Sequence, residues 1–506
     1  DFHLQSGSPA RNWGDEGKAA DVLGYVLAGT YDFYGLDRIL ESYVDIGCAE
    51  FDPSLVACSI VKSGDSVYLG ETVTLTASVS GFDGASDIVY TWTVMQDGVA
   101  VPVAGSGAVV ELEPTSAGTY EVNLSVESYQ LQRHVDAPSA TIVAMEKTIY
   151  VTSAANPYCA YPYSDLRTAA TNLNEAFLAA VEGMIVVLDE GTHNVFTNVS
   201  IPKGVTVCGA GRDRTTIRAA QPFYPVIRIN GAGTVLKDVT VAHGRMSESW
   251  QSEPVGVLIG DEGGTMADCR VTDCSNNGCF RVHGTVKMTG SNALVTRCLI
   301  DGNTMTETSN TVGQNTCGGI HATAGRIENC VITNNVGLAW SGSNASGLYL
   351  DGSVVALNCT VLDNRMGQAT GWSGVDGSGV QVANANAVVR NCIIDGNLNV
   401  AGVETNYCGN GASFSYCLSS DAAPEGSVGC IVARPVFDAR KPLYLEKRTP
   451  GRSQGSVVGY EDRLLAATDF FGQPRVKNVS RKGVADIDIG ATESVFVPNR
   501  LRISIR

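Results

Sequence analysis

Five short segments in the second half of the chain read ADCRV (267–271), TRCLI (296–300), ENCVI (328–332), LNCTV (357–361) and RNCII (390–394). Their cysteines, at 269, 298, 330, 359 and 392, stand 29, 32, 29 and 33 residues apart. KDVTV (237–241) fits the same frame with Val239 at the cysteine position. Repetition at such a period marks a stacked architecture. Each segment is a short β-prone run, and DGN or DN turns follow at Asp301, Asp363 and Asp395. A coil of strand, turn and strand meets this description, and a helical repeat does not. Stacked coils are spaced by about 4.8 Å, so equivalent residues form ladders. Cys269, Cys298, Cys330, Cys359 and Cys392 then stack inside as small apolar residues. Asp268, Asn329, Asn358 and Asn391, one residue earlier, form a polar ladder at a turn.

The pattern resembles the right-handed parallel β-helix proteins of the pectate-lyase-like superfamily, many of them bacterial and secreted. It places a solenoid over residues 153–440. SDLRTAATNLNEAFLAAVEG (164–183) reads as an amphipathic helix with Leu166, Ala169, Leu173, Ala176, Phe177 and Ala180 on one face. Ser164 or Asp165 can cap it, and Gly183 ends it. Solenoid ends are open strand edges that need a cover. The helix is expected to cover one end, and residues 441–493 the other.

Residues 1–53 are a second copy of that closing segment. DFYGLDR (32–38) and DIGCAE (45–50) match DFFGQPR (469–475) and DIGATE (488–493). FHLQSGSPARNWG (2–14) likewise matches LYLEKRTPGRSQG (443–455). Gly47 and Gly490 are 443 residues apart, which sets the period. The expectation is one unit of a longer modular protein, starting with the end of a preceding unit. The tail LRISIR, within 494–506, alternates like a half-buried strand. It reads as the start of a further sandwich domain or as a strand that pairs with another copy.

Between the copies, residues 54–152 carry ETVTLTASVS (71–80), IVYTWTV (88–94) and GTYEVNLSV (118–126), separated by turn formers. This resembles an immunoglobulin-like or PKD-like sandwich. Trp92 sits where that family buries its core tryptophan, and Tyr120 resembles its tyrosine corner. Ala77 and Val122 replace the two disulfide cysteines. The expected fold class is therefore all-β, a right-handed parallel β-helix solenoid plus an immunoglobulin-like β-sandwich.

The formal net charge of −17 and the absence of a Lys/Arg-rich run argue against nucleic acid as a partner. No apolar stretch is long enough to span a bilayer in this segment. Of the 15 cysteines, the ladder absorbs five, while Cys274/Cys279 and Cys408/Cys417 are close enough to pair. No zinc-ligand spacing is present.

A groove is expected on one sheet of the solenoid. The strands preceding each cysteine segment align as GVLIG (256–260), CFRVH (279–283), GIHAT (319–323), GLYLD (347–351) and GVQVA (379–383). Alternation turns two rows outward: Leu258, Arg281, His321, Tyr349, Gln381, and Gly260, His283, Thr323, Asp351, Ala383. Trp250, Trp340 and Trp372 precede their strand glycines by six or seven residues and would line one rim. Aromatic faces beside polar groups suit sugar rings. The glycan-binding candidates are Trp250, Trp340, Trp372, His283 and Gln381. The catalytic candidates are Arg281, His321, Tyr349 and Asp351. The resemblance implies no cofactor beyond calcium, which related lyases hold between carboxylates, and no metal ligands are assigned.

The leading expectation is an extracellular or cell-surface modular protein with a structural or adhesive role, assembling end to end with other copies into fibres. The alternatives are a polysaccharide lyase or glycoside hydrolase acting in the groove, and a non-catalytic glycan-binding protein. Extracellular polysaccharide is the expected ligand of either alternative.

Overall fold

The computed structural model describes residues 56–131, 133–246, 253–276, 284–306, 317–339, 344–368, 377–447, 449–458, 467–475, 478–479 and 485–494. The chain divides into two compact units between Lys147 and Thr148. The architecture is all-β, with a parallel β-solenoid and an immunoglobulin-like sandwich.

In the smaller unit, Ala57–Lys62, Val73–Ser80 and Val109–Leu112 form one antiparallel sheet. Val89–Gln96, Gly118–Ser128 and Ala140–Met145 form the centre of the other. Alternate residues of the long strand Gly118–Ser128, from Tyr120 to Val126, are buried, as a two-sheet core requires. The Tyr120 hydroxyl donates to the carbonyl of Ser116 at 2.8 Å, which makes the tyrosine corner. Trp92 is half-buried, packs against both core clusters, and donates its indole N–H to the Gly107 carbonyl.

Thr148–Val151 pairs with Ile185–Leu188 and so belongs to the solenoid, a few residues earlier than the sequence boundary. Each coil carries a first, second and third strand, as in Val257–Ile259, Gly264–Ala267 and Arg270–Thr272. Corresponding strands pair in parallel from coil to coil. The third strands build a sheet running from Gly191–Val195 to Ile431–Val432. The covering helix is shorter than its sequence pattern. It spans Leu173–Ala179, capped by Asn172, whose side chain accepts from Glu175 N–H. The stretch before it cannot join, because the backbone of Ala170 bonds to Tyr150 and Thr152 in strand fashion. Leu166 is accordingly exposed.

Between the second and third strands the chain turns through one residue at positive φ. These are Asp238, Asp268, Arg297, Asn329, Asn358, Asn391 and Tyr416, at φ 50° to 60°. Asn and Asp tolerate this region best among residues with a side chain. The cysteine that follows is fully buried in six successive coils, from Cys269 to Cys417. Each thiol does more than fill space. Cys298, for example, donates to the carbonyls of Thr296 at 3.2 Å and Met266 at 3.4 Å. All described cysteines are free thiols, Cys408 and Cys417 included.

A second ladder is made by the asparagines that end the DGN and DN turns, and by Asn335 of the equivalent NN turn, rather than by the aspartates. Asn303, Asn335, Asn364 and Asn397 are fully buried in one column. Asn335 Oδ1 accepts from both the backbone and side-chain N–H groups of Asn303. Its own amide donates to the Ile300 carbonyl and to Asn364 Oδ1. Each amide thus closes the turn of its own coil onto the next. Asp301 instead pairs with Arg270, and Asp395 accepts from Ser420. Asn335→Ala would leave several buried groups unpaired and is expected to cost roughly 3 kcal/mol or more. Asn334→Gly, at the exposed positive-φ turn beside it, should be nearly neutral. Denaturant titration of the two variants checks the contrast.

Candidate functional site

The outward row of the first strands is fixed by register. Ser200, Arg228, Leu258, Lys287, His321, Tyr349, Gln381 and Cys408 stand on successive coils. Lys287 takes the rung that the sequence alignment gave to Arg281. The first strand of that coil is Val286–Met288, with Val286 and Met288 facing the core. The interval of 29 residues from Cys269 to Cys298, applied to Val257, points to Val286 and was the signal that could have found it. Arg281, His283, Trp250, Trp340 and Trp372 lie outside the described residues.

The row is not uniformly open. His321, Tyr349 and Gln381 are 4%, 2% and 8% exposed, so alternation places them on the outer side but does not leave them on the surface. The segments before these strands pair with each other, Cys317 with Ala345 and Asn344 with Gly377, and so add a layer over the row. Tyr349 packs with Cys317 and Ala345, and edge-on against His321 with ring centroids 4.9 Å apart. Burial pushes the Tyr349 phenol up, with the charge of Asp351 adding to the rise. It is therefore a neutral phenol, unsuited to act as a base near neutral pH. Asp351 itself is exposed.

Where the row is half-exposed it floors a groove of 530 Å³. Arg228, Asn230, Glu253, Asp261, Lys287 and Thr289 supply its polar groups, and Leu258 and Ile229 its apolar floor. Arg228 pairs with Glu253 at 3.1 Å. Asn230 Oδ1 accepts from Glu262 N–H at 3.0 Å, which orients its amide. Burial lowers the Lys287 ammonium, against the opposing pull of Glu253 and Asp261. A guanidinium, a lysine eased toward its neutral form and two carboxylates thus meet over an apolar strip. Among the described residues no group of three His, Cys, Asp or Glu side chains is arranged to hold a metal ion.

The second built surface is the positive-φ column, and the sequence reading missed its role. The described residues between 441 and 494 lie along the flank of several coils as a strap, instead of only closing an end. Arg475 is fully buried and donates to Asn329 Oδ1 at 2.9 Å and 2.6 Å, and to the Gly490 carbonyl at 2.7 Å. Asn358 donates to the carbonyls of Asp488 and Gly490. Asn391 donates to the Ser456 carbonyl, and its oxygen accepts from Ser456 N–H. Phe470 packs on Val331 and Ala491, with the Arg212 guanidinium over its ring at 4.1 Å.

The strap is interlocked by its own acids. Asp469 accepts from the backbone of Phe471, Gln473 and Glu493. Asp488 accepts from Ser453 and Ser494. Glu493 accepts from Asp488 N–H and pairs with Arg475. Burial pushes the Glu493 carboxyl up to about 8 against the pull of Arg475, and Asp488 adds to the rise. A raised folded pKa contributes stability that is full below the ordinary value of 4.5 and is lost as pH climbs through about 8. The thermal midpoint should therefore fall as pH rises across that window, and Glu493→Gln should flatten the fall. Calorimetry of both chains over that range checks it.

Residues 58–129 match the PKD domain family. No curated protein matches the sequence. Similar solved structures include a family 28 exopolygalacturonase from Yersinia enterocolitica, at 9% identity over 72% of this chain and 91% of that chain, with a TM-score of 0.20. PKD domains are typical of extracellular proteins, and among the described residues no helix is long and apolar enough to cross a membrane. A PKD domain followed by a parallel β-helix fits an extracellular modular protein.

Proposed function

We propose that this chain is a unit of an extracellular structural or adhesive protein, in which rigid solenoids alternate with PKD spacers and each solenoid is fastened by a strap. One observation carries this reading. The strap side chains that interlock and dock recur in the first copy. Asp469, Phe470, Gly472 and Arg475 correspond to Asp32, Phe33, Gly35 and Arg38. Asp488, Ile489, Gly490 and Glu493 correspond to Asp45, Ile46, Gly47 and Glu50. A surface segment under no docking constraint has no reason to keep a buried arginine, its carboxylate partner and the glycine whose carbonyl it binds. Residues 1–53 are then a strap for the asparagine flank of another solenoid, in a preceding unit or in another copy of the chain. Replacing residues 469–493 by residues 32–50 tests this. The chimaera is expected to melt within about 4 °C of the parent. Its version with alanine at the Arg38 position should lose the strap, and a chimaera no more stable than one with a shuffled segment would overturn the equivalence.

A second reading is favoured by the groove. A uronic-acid polysaccharide offers a carboxylate for Arg228 and an acidic C–H for Lys287, whose ammonium is lowered by burial, to deprotonate, which is the chemistry of a lyase. Incubation with such a polysaccharide, read by the ultraviolet absorbance of the unsaturated product, should give a signal lost in Lys287→Ala. Saturable binding without product would instead favour a non-catalytic glycan-binding groove.

A further inference from the structure

We propose that Cys417 and Cys430 are the two halves of a disulfide that clamps the last coil of the solenoid. Leu418–Ser419 and Ile431–Val432 pair in parallel with Leu418 opposite Ile431, so Cys430 stands directly beyond Cys417 in the cysteine column. The Ile431 N–H donates to the Cys417 carbonyl at 2.8 Å, which holds the two backbones together. Parallel neighbours lie about 4.8 Å apart, within the span of roughly 4.4–6.8 Å that a disulfide bridges.

Position in the stack singles out this pair. Cys269 to Cys417 are fully buried, each between coils that fix its backbone, and a dissolved oxidant cannot reach them. Cys430 is half-exposed, and its strand pairs on one side only among the described residues. It can therefore meet an oxidant and shift to take up disulfide geometry. Cys408, also half-exposed, stands in the first-strand row beside Gln381 and faces elsewhere.

The oxidant is a small-molecule disulfide, such as oxidised glutathione, of the kind an extracellular setting supplies. The Cys430 thiolate attacks one of its sulfurs, forming a mixed disulfide and releasing one glutathione thiolate. The Cys417 thiolate then attacks the Cys430 sulfur and displaces the second. Two electrons pass to the oxidant, and the two protons leave to solvent and the released thiols. The Cys417 sulfur and partial burial push the Cys430 thiol up, so the exchange quickens as pH rises.

The test treats the intact folded chain with oxidised glutathione at mildly alkaline pH, then alkylates and maps peptides by mass. The expected product is a Cys417–Cys430 cross-link with loss of two hydrogens. The Ile431 and Ala433 amides should then exchange about tenfold more slowly or better. Cys430→Ser should fold normally and give no cross-link, and Cys417→Ser should stop at a stable glutathione adduct on Cys430. A stable adduct on Cys430 in the parent chain, a link to Cys408, or full alkylation of both thiols would overturn the proposal.

Discussion

One backbone constraint organises the larger unit, the single residue held at positive φ between the second and third strand of seven successive coils. It makes the corner sharp enough to bring the third strand onto its own sheet. It recurs from Asp238 to Tyr416, so its side chains stack at the strand spacing. Asn and Asp accept this conformation at little cost and bring polar groups that an aliphatic corner would lack. The cysteine after six of these corners turns inward and donates to nearby strand carbonyls. The same local geometry thus sets the core on one side and a polar flank on the other.

The strap depends on that flank. A fully buried guanidinium is costly to desolvate and persists only when its donors are met. Arg475 meets this condition with Asn329 Oδ1, the Gly490 carbonyl and Glu493, and two of these come from the strap itself. The strap must therefore fold and dock as one event. Its acids tie Asp469, Asp488 and Glu493 to backbone N–H groups, leaving few of its polar groups without a partner. That mutual dependence explains why the duplicated segment repeats the whole set of residues rather than a few of them.

Much of this was legible in the sequence, and the failures have physical causes. The cysteine period gave the coils because stacking forces equivalent residues into line. The tyrosine corner was legible because it is local, with Tyr120 reaching only to Ser116. Arg281 was given the rung of Lys287 because CFRVH (279–283) alternates like a strand, and only the register shows that the paired strand is Val286–Met288. Alternation put His321, Tyr349 and Gln381 on the outer side, yet it cannot say what lies above a sheet, and paired segments cover them. The buried asparagine ladder was missed because the motif was read through its recurring aspartates, while the asparagine one or two residues on is the side chain that the coil buries. The strap's docking was invisible because Arg475 and Asn329 are 146 residues apart. The presence of Arg228 and Lys287 in one groove was out of reach until the register was right.

The most direct measurement is hydrogen exchange on the parent chain and on Arg475→Ala, resolved to individual amides. If the flank and strap form one interlocked surface, the variant loses protection together at Phe470, Ile489, Gly490 and Ala491, while the solenoid amides of Val331 and Thr360 keep theirs. Protection lost at only one of those strap amides, or lost evenly through the coils, would contradict the account.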